Sequence, residues 1–305
     1  NIVGTEQSGK AQSIIVTAVV VALAAYVLNS GVAVDTARFG GFAEKGSGGV
    51  VTAAAFVFVS YAGVTKIASV AEEIEDPDRN LPLGILISMG VMMLLYTLVV
   101  AAVVGLNDPA VLSTSGPGGG PSLTPMADGA GQLVGGVGVA VIALVAILAL
   151  TSMANAGVLA SSRFPLAMSR DDLLPDSLGT VDPRFKTPRN SILLTGGVLA
   201  LLIAFVPVIT LAEMASAFII FVLSLINIAL IAFREADLPS YDPAFRAPGY
   251  PVIQVVGTVA GFGMIARLGL LPILGAAGLT VGGAVIYFLY GRQRTDSTSA
   301  LGRIL

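Results

Sequence analysis

Eight long apolar runs dominate this chain of 305 residues and constrain its fold more than any other feature. A helix needs about 20 apolar residues to cross the hydrocarbon core of a bilayer, whereas a membrane β-barrel strand uses about ten residues in alternation. The runs are long and continuous, so we predict an all-α integral membrane protein, a multi-span helical bundle. The predicted spans lie at about residues 13–32, 48–71, 83–105, 131–160, 190–206, 209–233, 250–266 and 269–291.

The composition points to the same class of protein. Hydrophobic residues make up 55% of the chain and charged residues only 11%, with a mean hydropathy of +0.89, whereas soluble domains carry about 25% charge. Cysteine and histidine are absent, which excludes disulfides, thiolate or imidazole metal sites and histidine general bases. We therefore predict no cofactor and no metal site, and a net charge of −3 gives no reason to expect a nucleic-acid partner.

Basic residues in the loops predict the orientation, because cytoplasmic loops carry an excess of Lys and Arg. Loops assigned alternately to the two faces place twelve basic residues on one side: Lys10, Arg79, Arg163, Arg170, Arg184, Lys186, Arg189, Arg234, Arg246, Arg292, Arg294 and Arg303. The opposite loops hold three, Arg38, Lys45 and Arg267. We predict a multi-pass protein of the cytoplasmic membrane with both chain ends in the cytoplasm, residues 292–305 forming a cytoplasmic tail. The chain starts at Asn1 without an initiator Met, and we expect it to belong to a longer protein.

The second apolar run is interrupted midway by the polar and small residues of the segment 60–63. Backbone groups inside a bilayer must be satisfied internally, so a helix opens there only beside protein or a polar cavity. Carbonyls freed at the end of the first half-helix suit an ammonium group, and N–H groups at the start of the second suit a carboxylate. The alternative is a glycine kink in an ordinary span. If the helix breaks, the predicted substrate-binding residues are Phe58, Ser60, Tyr61, Ala62, Gly63 and Val64.

A second candidate site lies in the fourth run, where Thr151, Ser152 and Asn155 occur together. Thr151 and Asn155 are four residues apart and share a helix face. Hydroxyl and amide oxygens suit a small cation such as a coupling ion. The alternative is that these hydroxyls bond to the carbonyl of the preceding turn or join neighbouring helices.

Three ionisable residues follow the predicted break. Lys66 lies deep within the run, where a charge is costly unless it is paired or hydrated. It is a candidate proton-linked or gating group, and the alternative is a lysine that snorkels along the helix. Glu72 and Glu73 lie at the inner end of the same run and are candidate gating residues or partners of loop arginines.

The predicted connections differ in character. Residues 106–130 include a Gly- and Pro-rich segment, which predicts a flexible outer connection. The inner loop at 161–190 begins with an amphipathic stretch, for which we predict a short interfacial helix. Spans five and six are expected to meet near Pro207, and spans seven and eight near Pro272.

Motifs along nearly the whole chain resemble those of amino acid permeases of the amino acid-polyamine-organocation (APC) superfamily. Residues 56–82, with the pattern EExxxPxRxxP, resemble the sixth helix and the following loop of that family. Four further segments match in order: residues 1–10 before the fifth helix, residues 162–175 at the end of the eighth, Pro188 where the next span begins, and residues 241–248 before the eleventh.

The resemblance implies that the eight spans are helices five to twelve, the C-terminal two-thirds of a twelve-helix transporter. It implies a partial five-plus-five inverted-repeat fold, in which the first and sixth helices are broken at the substrate site. The missing N-terminal helices would complete that site. The implied function is secondary active transport of amino acids by alternating access, as symport or antiport, with no enzymatic activity. Sodium-coupled relatives use a Ser/Thr pair comparable to Thr151 and Ser152, whereas proton-coupled relatives carry a lysine in the fifth helix, which residues 17–23 lack.

Other functions stay open at the level of sequence. A polyamine or cation-chloride transporter of the same superfamily is one alternative, and an amino acid sensor that binds without transporting is another. A membrane-embedded enzyme would need paired acids and bases at depth, but no Asp or Glu lies in the middle of a predicted span. The sequence does not distinguish Na⁺ from H⁺ coupling or identify the substrate side chain.

Overall fold

The computed structural model describes residues 6–41, 46–63, 67, 74–183, 187–236, 243 and 245–291, with side chains from residue 13 onward. The regular elements in these ranges are all helical, which confirms the predicted all-α class. The helices longer than ten residues are α1 (Glu6–Ser30), α2 (Gly46–Val57), α3 (Pro77–Leu106), α4 (Pro125–Arg170), α5 (Arg189–Phe205), α6 (Val208–Glu235), α7 (Val252–Ile265) and α8 (Leu270–Ile286). Shorter 3₁₀ or α turns lie at Thr36–Phe39, Phe58–Tyr61, Pro109–Leu112, Pro117–Gly119 and Asp176–Leu178, and a π-helical turn at Tyr287–Gly291.

Five helical segments in the described ranges are long and apolar enough to cross a membrane. They are Ser13–Ser30 of α1, the whole of α3, α4 and α6, and α8 extended by its π turn. The remaining apolar helices are shorter, with 17 residues in α5 and 14 in α7, whereas a span needs about 20. The helices fit a multi-span membrane protein, and the count of eight spans stays a prediction.

Helix α4 is longer than the predicted span at 131–160, because it begins at Pro125 and continues to Arg170. Its geometry is interrupted at Val134 (φ −135°, ψ 18°) and Gly135 (φ 67°, ψ −150°). Gly135 tolerates the positive φ because it has no Cβ. The first two turns of α4 therefore occupy sequence that was predicted to belong to the outer connection.

The other end of α4 also differs from the prediction, because the expected separate interfacial helix is the continuation of α4. The helix ends in a Schellman motif. The N–H of Leu173 donates to the carbonyl of Met168 at 2.8 Å, and the N–H of Asp172 donates to that of Ser169 at 3.3 Å. Asp172 has a φ of 58°, the left-handed position that glycine usually occupies. No glycine therefore marks this helix end in the sequence.

The junctions between later helices lie close to the predicted positions. Val206 and Pro207 join α5 to α6. The turn between α7 and α8 lies at residues 266–269 and includes Gly269 with a φ of 96°. Pro272, near which this junction was expected, lies buried in the first turn of α8, where a missing N–H costs nothing.

The chain divides into two compact units. The first unit comprises residues 1–44, 85–159 and 185–187, and the second comprises residues 45–84, 160–184 and 188–305. In the first unit, one cluster of buried side chains joins α1, α3 and α4. Its members are Tyr26, Ala102, Leu106 and Ala130.

Asn107 ties the end of α3 to the start of α4 within the first unit. Only 3% of this residue is exposed. Its Nδ2 donates to the carbonyls of Val103 at 2.9 Å and Pro125 at 3.2 Å, and its Oδ1 accepts from Nε2 of Gln132 at 2.9 Å. A buried amide with this many partners fixes the geometry of the segments that it joins.

The Gly- and Pro-rich connection between α3 and α4 is held by hydrogen bonds, although its sequence predicts flexibility. The N–H of Gly116 donates to the carbonyl of Gly120 at 2.8 Å, and the N–H of Ser122 donates to that of Leu112 at 2.7 Å. The carboxylate of Asp128 accepts from the hydroxyl of Ser122 at 2.6 Å. These bonds fold the connection back onto the start of α4.

In the second unit, α6 packs against α2, α7 and α8. Small residues allow backbones to approach closely where lipid offers no hydrophobic drive for association. Gly261 of α7 lies so near α6 that a Cβ at this position would collide with the Ser224 hydroxyl. The buried core of this unit consists of Ala55, Ala217, Ile220, Ile265, Leu268 and Ala276.

We expect Gly261→Ala to lower the free energy of unfolding by about 1–3 kcal/mol, because its Cβ would overpack the contact with Ser224 and Ile220. Gly263→Ala on the same helix is the matched control, since no atom lies within 4 Å of its Cβ position. The control should be neutral or stabilising, because alanine favours helix over glycine by about 1 kcal/mol. Unfolding of the detergent-solubilised full-length protein measures both, and equal effects would contradict the close α6–α7 contact.

We expect Asn107→Ala to cost about 1–3 kcal/mol of stability, because it removes a buried amide that bonds to the Pro125 carbonyl and to the Gln132 side chain. Asn29→Ala is the control, since Asn29 is exposed and donates to the carbonyl of Ala25 in its own helix. The same unfolding measurement applies. A loss no larger than that of the control would mean that Asn107 does not secure the α3–α4 connection.

Candidate functional site

Helix α2 loses α geometry at the predicted break. The α-helix ends at Val57, and a 3₁₀ turn follows at Phe58–Tyr61. The N–H of Ala62 donates to the carbonyl of Val59, three residues back, at 3.0 Å. Ala62 keeps right-handed helical angles, with φ −57° and ψ −24°. The break therefore takes the form of a tightened turn up to Ala62 and not of an extended segment.

The 3₁₀ turn sorts the predicted substrate-binding residues into two faces, because side chains three residues apart eclipse each other in this geometry. Phe58 and Tyr61 share one face, with ring centroids 6.5 Å apart and planes at 57°. Phe58 is half-buried and packs against the core of the second unit. Ser60 and Gly63 are exposed, and they lie on the other face.

The hydroxyl of Ser216 on α6 enters the backbone of α2 where the geometry changes. It donates to the carbonyl of Phe56 at 2.8 Å and accepts from the N–H of Val59 at 3.0 Å. These two backbone groups are three residues apart, and an unbroken 3₁₀ ladder would join them directly. A side chain inserted into a helix ladder is an established cause of a kink. Ser216 has no exposed surface.

Sequence reasoning missed Ser216, although one signal is visible in retrospect. Ser216 lies between two alanines in the middle of an apolar run. Small neighbours allow another helix to come close, and a hydroxyl there can reach that helix's backbone. The same pattern is equally typical of plain helix packing, so the sequence does not identify α2 as the partner.

The residues of the candidate ion site lie on α4 in the first unit. Thr151 is exposed, whereas Ser152 and Asn155 are half-buried. Within the described ranges, neither hydroxyl makes a hydrogen bond, whereas Asn155 does have an interaction partner. Other threonines beyond the first turn of a described helix donate to the carbonyl four residues back: Thr17, Thr52, Thr97, Thr195, Thr258 and Thr280.

This difference bears on the two interpretations of Thr151. A hydroxyl that is bonded to the preceding turn already donates its hydrogen bond within its own helix. Within the described residues, Thr151 departs from the pattern of the other threonines. The remaining predicted residues, Val64, Lys66, Glu72 and Glu73, lie outside the described residues.

A polar cavity of about 470 Å³ lies in the first unit, away from the predicted site residues. Its lining includes Arg38, Asn107, Asp108, Asp128 and Gln132. Arg38 donates to the carbonyl of Gly105 at 3.3 Å and lies 3.6 Å from the carboxylate of Asp35. Asp108 caps the turn that follows it by accepting from the N–H of Ala110 at 2.8 Å. These charged groups have local partners and shape the connection.

A second cavity, of about 360 Å³, lies among α6, α7 and α8 in the second unit. Its lining is almost wholly apolar and includes Phe221, Phe262 and Ile273. The rings of Phe221 and Phe262 meet edge to face, with centroids 6.3 Å apart. None of the predicted site residues lines this cavity.

Comparison with protein families matches residues 1–291 to the family model described as amino acid permease. The chain is 31% identical over 292 residues to the branched-chain amino acid permease BcaP of Bacillus subtilis, covering 96% of this chain and 61% of that protein. It is 31% identical over 256 residues to the methylthioribose transporter of the same bacterium, covering 83% of this chain and 53% of that protein.

A plant relative is the mitochondrial cationic amino acid transporter 3 of Arabidopsis thaliana, 32% identical over 246 residues, with 79% of this chain and 39% of that protein covered. The chain thus spans between 39% and 61% of the length of these three relatives. The family and the relatives carry the names of permeases or transporters, and none of these names is that of an enzyme. By its family match and its apolar helices, this chain is a multi-pass membrane protein that belongs to the amino acid permease family of the APC superfamily.

Proposed function

We propose that this chain is part of a secondary active transporter that moves amino acids across the cytoplasmic membrane by alternating access. Its substrate binds at the 3₁₀ turn of α2. The observation that carries this proposal is the change of helix geometry at Phe58–Tyr61, next to the open face of Ser60 and Gly63. Such breaks expose backbone groups at membrane depth, where they can replace the hydration shell of a solute.

The charges of an α-amino acid suit the ends of the two half-helices. The C-terminal end of α2, at Val57, carries partial negative charge from the helix dipole, which favours the ammonium group. The carboxylate would bind N–H groups at the start of the half-helix near Val64. A zwitterion therefore satisfies both ends without a charged side chain from the protein.

We propose that the substrate side chain is neutral and apolar. The sequence around the break contains no carboxylate to pair with a basic substrate. Phe58 and Tyr61 offer an aromatic face instead, and such surfaces favour apolar groups. The name of the Bacillus subtilis branched-chain amino acid permease agrees with this choice.

We propose that Thr151, Ser152 and Asn155 bind a coupling Na⁺. Hydroxyl and amide oxygens are suitable ligands for a hard cation, and the two hydroxyls are not engaged with their own helix. Residues 17–23 contain no lysine, which argues against proton coupling through the fifth helix. Lys66, Glu72 and Glu73 remain proposed gating or proton-linked residues.

The proposed architecture extends beyond the described helices. The relatives are longer than this chain, which supports the proposal that four further spans precede Asn1. Together they would form a five-plus-five inverted repeat whose first helix completes the substrate site. The distribution of basic residues supports a cytoplasmic location for both ends of this chain.

We expect the full-length protein in liposomes to accumulate labelled leucine, and unlabelled isoleucine and valine to compete with it while lysine does not. Gly63→Leu should raise KM for leucine about tenfold or more, because its side chain would occupy the open face at a cost of at least one hydrogen-bond equivalent. No atom lies within 4 Å of a Cβ at Gly63 or at Gly278, so Gly278→Leu on α8 is a control of the same size. Leucine binding without uptake would indicate a sensor and contradict the proposed transport function. Equal KM values for the two variants would contradict substrate binding at the turn.

We expect leucine uptake to depend on Na⁺. Thr151→Ala should raise the half-saturating Na⁺ concentration about tenfold, because loss of one ligand weakens the binding free energy of the ion by roughly 1–2 kcal/mol. Thr97→Ala is the control, because the hydroxyl of Thr97 donates to the carbonyl of Met93 at 2.8 Å. Thr151→Ser should retain near-normal Na⁺ dependence. An unchanged Na⁺ response in Thr151→Ala would show that the ion binds elsewhere.

A further inference from the structure

We propose that the Ser216 hydroxyl holds α2 in its broken geometry before any substrate arrives, which makes Ser216 a positioning residue for the substrate site. This inference rests on the proposed function, because it assumes that the 3₁₀ turn binds the transported amino acid. It adds that the turn is preformed, and that the side chain responsible belongs to α6.

The hydrogen bonds of Ser216 carry the argument. Its Oγ stands between the N–H of Val59 and the carbonyl of Phe56, at 3.0 Å and 2.8 Å. One hydroxyl thus bonds to both the N–H of Val59 and the carbonyl of Phe56, which do not bond to each other. An unpaired polar backbone group in an apolar environment costs several kcal/mol, so the broken geometry needs a partner of this kind.

The surroundings keep the hydroxyl in place. Ser216, Ala217 of α6 and Ala55 of α2 have no exposed surface, and Ile220 one turn further along α6 is 2% exposed. Side chains as small as alanine bring the two backbones within reach of one short hydroxyl. The Ser216 side chain itself is closed to solvent.

Without the hydroxyl, α2 has a way to recover its hydrogen bonds. If the segment reverts to α geometry, the N–H of Val59 can donate to the carbonyl of Ala55, and the carbonyl of Phe56 can accept from the N–H of Ser60. That change lowers the rotation per residue from about 120° to about 100°. Over the turn, the face formed by Ser60 and Gly63 would rotate away from its position relative to Ala55. The cost would therefore fall on the substrate site more than on stability.

A different role makes the opposite prediction. If Ser216 only joins α2 to α6, its removal should lower stability and leave the affinity for substrate unchanged. Ser224 on α6 provides the comparison, because it is also buried but donates within its own helix to the carbonyl of Ile220 at 2.8 Å. Both serines lose one buried hydroxyl on mutation to alanine, but only Ser216 contacts the break.

The test compares Ser216→Ala with Ser224→Ala in the full-length protein, reconstituted for leucine uptake and solubilised for thermal unfolding. We expect Ser216→Ala to raise KM about tenfold, which corresponds to about 1.4 kcal/mol. Its kcat and Tm should stay close to those of Ser224→Ala. Ser216→Cys, with a weaker hydrogen-bonding thiol of similar size, should give an intermediate KM. An unchanged KM, or a fall in Tm without a change in KM, would overturn the proposal.

A second measurement separates this inference from the transport function. This sequence contains no cysteine, so Ser60→Cys can be labelled selectively with a water-soluble maleimide once any cysteine elsewhere in the full-length protein is replaced. We expect the labelling rate at position 60 to change about threefold or more in the Ser216→Ala background and to stay constant in the Ser224→Ala background, because only the first rotates the turn. This result would support the positioning role even if leucine were not transported. Equal rates in both backgrounds would overturn it.

Discussion

The bridge that Ser216 makes between the carbonyl of Phe56 and the N–H of Val59 is the interaction on which the candidate site depends. A membrane offers no water to backbone groups that leave a helix, so any irregular segment must be completed by another part of the protein. In α2 this completion comes from one buried hydroxyl. The result is a turn whose aromatic face meets the core while its polar face stays open.

The same bridge explains why the packing around α6 uses small residues. Ala55 and Ala217 are fully buried beside Ser216. Gly261 of α7 has no Cβ and so leaves room for the Ser224 hydroxyl of α6. Larger side chains at Ala55 or Ala217 would separate α2 from α6 and withdraw the Ser216 hydroxyl from the α2 backbone. Close packing and site geometry are therefore one property of the second unit.

The sequence predicted those features that depend on local composition. Long apolar runs located the helices, and the segment 60–63 marked the place where α2 changes geometry. The form of that change depends on Ser216, which is 153 positions or more away from the segment, so local sequence could not predict it. The end of α4 escaped prediction because Asp172, and not glycine, takes the left-handed position. The different behaviour of Thr151 could not be read from sequence either, because the same residue type bonds to the preceding turn at other helix positions.

The length of α4 has a consequence for the boundary between protein and lipid. After the irregular residue Gly135, helix α4 runs on to Arg170, and 35 residues at about 1.5 Å each extend roughly 50 Å. A bilayer measures about 40–45 Å with its headgroups included. Even a helix perpendicular to the membrane would therefore emerge from it, and the guanidinium groups near its C-terminal end could reach the phosphates of anionic lipids. The length of α4 thus brings the headgroup region of the bilayer into contact with the same helix that carries Thr151.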